Sequence, residues 1–218
     1  LGGLQGAVGW YMVQSGLVDR VDVSQYRLAL HLSIAFVILG LLTWFILDLR
    51  RAETMAYLHN LPSGTFALAF AIAALVFAQV ALGAFVAGTK AGLTYNTWPL
   101  IDGRFIPEGL YSMVPWYANV AEDHLTIQFN HRMVAYLIIV LAVLQAIRVA
   151  AADDARVARS AWIVAVMLVA QAGLGIWTLL AAKGSIPIGL GLAHQTFAAF
   201  VFMATIWHLF AARRATAG

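Results

Sequence analysis

Apolar and polar positions in this chain fall into long separate blocks rather than a short alternation. Six apolar blocks stand out, at about residues 1–17, 28–47, 65–87, 129–149, 161–182 and 188–211. A helix that crosses the hydrocarbon core of a bilayer needs about 20 such residues. The blocks therefore predict an all-α, polytopic membrane helical bundle with six visible spans. The first block is short and rich in glycine, whereas the third and fifth are the clearest. Between the third and fourth lies the longest polar stretch, 88–127, which holds Trp98, Pro99, Pro107, Tyr111, Pro115, Trp116 and Tyr117. Two readings stand for it: an ordered cap lying on the membrane surface, or an interfacial aromatic belt.

Composition agrees with the blocks. Charged residues make up 11% of the chain, against about 25% in soluble domains, and mean hydropathy is +0.84. The absence of cysteine excludes disulfides, thiolate-held clusters and cysteine nucleophiles. No acidic residue sits in the middle of a span, which argues against a proton-driven transporter. No phosphate-binding glycine loop occurs, and no basic run points to nucleic acid. The chain opens at Leu1, already within an apolar block, with no charged leader or small-residue cleavage site. That reads as the interior of a larger protein rather than a signal peptide.

Charge placement sets orientation. Arg50 and Arg51, then Arg148, Arg156 and Arg159, then Arg213 and Arg214 all fall on one side, assigned to the cytoplasm. The other side carries Arg20, Arg27, Lys90, Arg104 and Lys183, mixed with Asp19, Asp22, Asp102, Glu108, Glu122 and Asp123. His31, His131 and His194 then lie at similar depth near the outer face. His131 follows Gln128-Phe129-Asn130 at the head of the fourth span and is followed by Arg132.

An imidazole in lipid is costly and needs a partner. Haem iron in a helical bundle is commonly held by histidines from facing helices, so His131 and His194 are candidates to clamp one porphyrin. The alternative is that each histidine is cross-helix glue. Arg132, and Arg27 one turn outward of His31, are each placed to bind a propionate or to snorkel to the interface. His208, 14 residues past His194, is placed at the cytoplasmic interface, and His59 and His124 in loops.

An internal repeat links the spans. Gln5, Gly9 and His31 match Gln171, Gly175 and His194, and Arg50-Arg51 matches Arg213-Arg214. Gln79 and Gly83 repeat the Gln-x-x-x-Gly spacing, which places a polar side chain and a gap on one helical face. The gap suits either a flat macrocycle or close helix packing with a cross-helix hydrogen bond. The repeat groups the spans in pairs and predicts two further helices upstream of Leu1. The parent would then have eight spans in two pseudo-symmetric four-helix halves, with 1–62 and 63–218 in different halves.

With these residues in view, the chain resembles the haem A synthase family of cytochrome oxidase assembly, in its alphaproteobacterial and mitochondrial form. The resemblance rests on Leu4-Gln5-Gly6 to Gly9-Trp10-Tyr11-Met12-Val13 with Ser15-Gly16-Leu17, on Ser24-Gln25-Tyr26-Arg27-Leu28 leading to His31, and on Gly83-Ala84-Phe85-Val86-Ala87-Gly88. It continues through Ala91-Gly92-Leu93, Tyr95-Asn96-Thr97-Trp98-Pro99-Leu100, Gln128 to Arg132, Gln171-Ala172-Gly173-Leu174-Gly175 and Ala193-His194-Gln195.

The resemblance implies a multi-pass protein of the bacterial inner membrane that oxidises a methyl group of haem O to the formyl group of haem A. It implies a haem b cofactor on His131 and His194 in the half spanning 63–218. The substrate haem would be held in the other half, where His31 matches one ligand and Arg27 accompanies it. The implied partners are haem O with haem O synthase, an electron acceptor in the membrane, and cytochrome c oxidase assembly, and a homo-oligomer is compatible. The family's second substrate-side histidine and an acidic residue thought to act in the chemistry match no position here. The expectation is that residues 1–218 alone retain the haem b site without catalysing. A bis-histidine cytochrome b subunit for electron transfer is the competing expectation.

Overall fold

The apolar blocks fold as helices whose ends are set by polar punctuation. The computed structural model describes residues 1–14, 23–50, 61–151 and 154–213. In it the chain forms α1 (Gly2–Gln14), α2 (Gln25–Leu49), α3 (Thr65–Gly88), α4 (Ala91–Thr94), α5 (Asn119–Glu122), α6 (His124–Ala150), α7 (Ala155–Leu180) and α8 (Ile188–Ala212). No strand forms among the described residues. Asp123 caps α6 by accepting from the amides of Leu125 and Thr126, and Asp154 caps α7 through those of Arg156 and Val157. These caps satisfy backbone donors that a helix start otherwise leaves unpaired.

Five helices, α2, α3, α6, α7 and α8, are long and apolar enough to cross a membrane. The first of the six anticipated spans is described as the 13-residue α1. Its remainder, with Ser15-Gly16-Leu17, lies outside the described residues, as do Asp19, Arg20, Asp22, Arg51, His59 and Arg214.

The core is a ring of four helices. α3 packs on α6, α6 on α7, α7 on α8, and α8 back on α3, while α2 lies against α3 and α8 and α1 against α2. Without a hydrophobic driving force between helices in lipid, close packing of small residues has to hold such a ring. Ala69, Ala73, Ala84, Ala142, Ala146, Ala161 and Ala165 are all buried, interleaved with Ile72, Val76, Ile138 and Val164. The end of α3 approaches α2 so closely that a Cβ on Gly88 would sit 2.7 Å from Gln25 Cα.

Two sequence placements are corrected. α6 begins at His124, five residues before the anticipated start of its span, so His124 opens a helix rather than sitting in a loop. Its first turn is polar and cap-bonded, which a run of apolar residues does not reveal. His208 is not interfacial: it is 1% exposed. Its Nδ1 lies 2.8 Å from Ser160 Oγ on α7 and its Nε2 3.2 Å from Gln145 Nε2 on α6. Gln145 Nε2 also donates to the carbonyl of Thr65 at 3.0 Å. One polar residue from each of three helices closes this end of the ring, so the imidazole finds partners inside the protein instead of reaching for water.

The polar stretch 88–127 forms an ordered cap at one end of the bundle. Asn119, fully buried, receives the Met113 amide at 3.0 Å and donates to the carbonyls of Met113 and Trp116. The cap is tied to the bundle by Asn96 to the Ala182 carbonyl, Trp98 Nε1 to Tyr136 Oη, Tyr111 Oη to Asn130 Oδ1 and Tyr26 Oη to Glu122 Oε1. Trp116 and Tyr117 remain exposed on its surface. Arg148, in the last turn of α6, and Arg156 and Arg159, in the first turns of α7, lie at the opposite end, where Arg213 pairs with Asp48 at 2.7 Å.

Two outcomes follow. Because the chain has no cysteine, single cysteines report sidedness. A membrane-impermeant thiol reagent should label Glu108→Cys in cells from outside and Arg156→Cys only after permeabilisation. Ser160→Ala should leave His208 Nδ1 unpaired and cost about 1 kcal/mol, read as a lower thermal midpoint in detergent.

Candidate functional site

His31, His131 and His194 each rest on the Gln-x-x-x-Gly element of the preceding membrane helix. On α1 and α2, Gln5 Nε2 lies 3.1 Å from His31 Nε2. On α3 and α6, Gln79 Nε2 donates to the His131 carbonyl at 2.8 Å and lies 3.4 Å from its Nε2. On α7 and α8, Gln171 Nε2 donates to the His194 carbonyl at 3.0 Å and lies 3.1 Å from its Nδ1. The glycine one turn further on supplies the space. A Cβ on Gly9, Gly83 or Gly175 would stand 3.0, 3.3 or 2.7 Å from Cε1 of His31, His131 or His194. The spacing that left open a macrocycle groove or close packing therefore serves packing: glutamine and glycine together form a seat for an imidazole.

The seats share one level. His31 and His194 are the seventh residues of α2 and α8 and His131 the eighth of α6, about 9–11 Å below the helix starts at 1.5 Å per residue. α6 and α8 occupy diagonal corners of the four-helix ring. His31 lies on α2, outside that ring.

Arg132 does not snorkel. It is 7% exposed, with Nε donating to Gln128 Oε1 at 3.3 Å and Nη2 to the Tyr95 carbonyl at 3.4 Å. Its Nη1 is buried without a partner, which leaves a donor free for an anion beside His131. Arg27 lies 4.8 Å from the centre of the Tyr11 ring, a cation–π contact that joins α2 to α1. His124 Nδ1 lies 2.9 Å from Thr94 Oγ1 in the cap, away from the three seats.

Two imidazoles on opposite corners and an unspent guanidinium donor are the donor set of a planar metal macrocycle with an acidic substituent. No group of three or more His, Cys, Asp or Glu gathers among the described residues. A metal held here would thus bring most of its ligands with it, as a porphyrin does. The buried and unpaired Nδ1 of His131 fits that set, because a neutral imidazole pairs one nitrogen with a metal and the other with an acceptor. Reading the sequence missed the partners Gln128 and Tyr95 of Arg132. The spacing of Gln128 and Arg132, one helical turn, was the available signal for the first, and nothing in the sequence marks a backbone carbonyl.

A family model described as cytochrome oxidase assembly protein matches residues 1–206. A protein named heme A synthase from Parvibaculum lavamentivorans is 51% identical over 212 residues, covering 96% of this chain and 58% of its own length. Those of Rhodopseudomonas palustris (strain BisA53) and Maricaulis maris are 46% and 43% identical, with 96% and 99% of this chain and 56% and 61% of theirs covered. The chain thus spans somewhat more than half the length of these curated relatives. No solved structure matches. By the match along nearly its whole length, the chain belongs to the cytochrome oxidase assembly protein family, as a multi-pass membrane protein.

Proposed function

We propose that the protein is a haem A synthase, which oxidises a ring methyl of haem O to a formyl group. The observation that carries this reading is the placement of His131 and His194, on separate glutamine–glycine seats, at opposite corners of one four-helix ring. The names of the relatives support it. His131 and His194 hold a haem b, and Arg132 directs its free Nη1 at a propionate. His31 and Arg27 belong to the substrate haem site.

When bound, the haem b supplies reversible one-electron transfer. Converting the methyl to a formyl with water as oxygen source releases four electrons and four protons, so the electrons have to leave for an acceptor in the membrane. The chain's own part is to fix the two imidazoles and to neutralise the propionate. The buried helix packing keeps water from the pair. A guanidinium that donates inside a membrane protein is worth more than one at the surface, since the local dielectric is lower. Haem O synthase would deliver the substrate, and cytochrome c oxidase would receive the product.

The test uses the full-length gene, co-expressed with a haem O source in a host that makes no haem A. Extracted haems are resolved by chromatography and mass. Haem A or its hydroxylated precursor is expected, with His31→Ala abolishing it while haem b stays bound, and His131→Ala or His194→Ala losing haem b. Haem B alone, with haem O untouched in a folded protein, would replace this reading by an electron-transfer cytochrome b. A second variant tests the seat. Gly175→Ala gains about 1 kcal/mol of helix propensity, yet its methyl would sit 2.7 Å from His194 Cε1. The protein should therefore stay folded while haem b absorbance falls.

A further inference from the structure

At all three histidine seats the same atom is left over. Oε1 of Gln5, of Gln79 and of Gln171 is buried with no hydrogen-bond partner, and so is Nδ1 of His31 and of His131. A buried unpaired acceptor is destabilising, and in lipid no water is at hand to relieve it. Gln145 Oε1, beside His208, is unpaired too, but there both ring nitrogens have partners; at His31 and His131 an unpaired glutamine oxygen accompanies an unpaired ring nitrogen, a pair that the seat can close in another state.

The amide orientation is fixed at two of the seats. A backbone carbonyl only accepts, so the group that meets the carbonyls of His131 and His194 is the NH2 end of Gln79 and Gln171. The same NH2 lies nearest the rings, 3.4 Å from His131 Nε2 and 3.1 Å from His194 Nδ1, while Oε1, bonded to the same carbon, has no partner. A metal takes the lone pair of one imidazole nitrogen. The other nitrogen then carries the hydrogen and requires an acceptor, which in metal sites sets the ring orientation and the basicity of the ligand. No carboxylate among the described residues stands at these seats, and the unpaired amide oxygen is the acceptor at hand.

We propose that Gln79 and Gln171 are positioning residues for the haem b ligands, and that Gln5 plays the same part for His31. Gln79 and Gln171 hold their histidines by the backbone carbonyl through Nε2, and each of the three amides accepts the imidazole N–H through Oε1 once a metal takes the other nitrogen. The other ring nitrogen is thereby turned to the iron. A neutral amide accepts more weakly than a carboxylate, so the seat leaves the imidazole less electron-rich than an Asp or Glu partner would. It thereby sets the haem b reduction potential higher than a carboxylate would. This rests on the assignment of His131 and His194 to haem b.

The experiment is redox titration of the purified full-length holoprotein, followed by visible absorbance and paramagnetic resonance, for wild type, Gln79→Leu, Gln79→Glu and His131→Ala. Gln79→Glu keeps the acceptor and should retain haem with its midpoint potential shifted downward and an altered low-spin ferric signal. Gln79→Leu removes the acceptor. It should hold haem roughly 10- to 100-fold more weakly, and the fraction that keeps it should have a raised potential. Should the leucine variant fail to fold, the glutamate variant alone decides, by the sign of its shift. An unchanged potential and resonance spectrum in Gln79→Glu would overturn the proposal and leave the glutamine as helix packing. Haem retained undiminished in His131→Ala would instead overturn the ligand assignment beneath it.

Discussion

Three histidines in membrane-spanning or membrane-packed helices each have to find polar company without water, and the arrangement of the long helices answers that demand. Gln5, Gln79 and Gln171 reach an imidazole on the next long helix, and Gly9, Gly83 and Gly175 let that ring come within van der Waals distance. A glutamine alone would leave the helices too far apart, because a side chain at the glycine position would hold the ring off. A glycine alone would bring the ring close with no partner for its nitrogens. The pairing of each helix with the next, and the common depth of the histidines, both follow from this one contact.

The two ends of the bundle solve the same problem in different ways. At the capped end the half-buried histidines stand near unpaired atoms, Oε1 of three glutamines and Nη1 of Arg132. At the other end His208 has both ring nitrogens engaged, by Ser160 and Gln145. A satisfied histidine locks three helices, and histidines with capacity to spare are suited to take a ligand. Only His31 and His131 keep an unpaired Nδ1; His194, like His208, has a polar atom within reach of both ring nitrogens.

The cap contributes order rather than cover alone. Asn119 pins its loop from within, and Tyr95 supplies a carbonyl to Arg132 while Tyr111 bonds Asn130. The residues flanking His131 are thus held from above by the cap and from the side by α3. That double restraint suits His131 to the ligand role proposed for it, in which the ring has to be held at a set angle.

Much of this was legible in the sequence. The long spans announce themselves because an apolar run of helical length has few other uses, and five helices of that kind form. The repeat of Gln5, Gly9 and His31 in Gln171, Gly175 and His194 was visible as spacing, and the structure gives all of them one geometry. What spacing could not decide was what the glycine gap admits, since a porphyrin edge and an imidazole ring ask for the same vacancy. Nor could it show that Arg132 turns inward to Gln128 and Tyr95, that α6 starts at His124, or that His208 meets Ser160 and Gln145 from two other helices. Those facts depend on which residues of different helices arrive at one level, and that is fixed by packing. The sequence alone determined the helices, their apolar lengths and the histidines' shared depth, because hydropathy and the helical rise are local properties. The tertiary structure decided which histidines are satisfied and which keep unpaired partners, because a hydrogen bond between helices exists only once the helices have met.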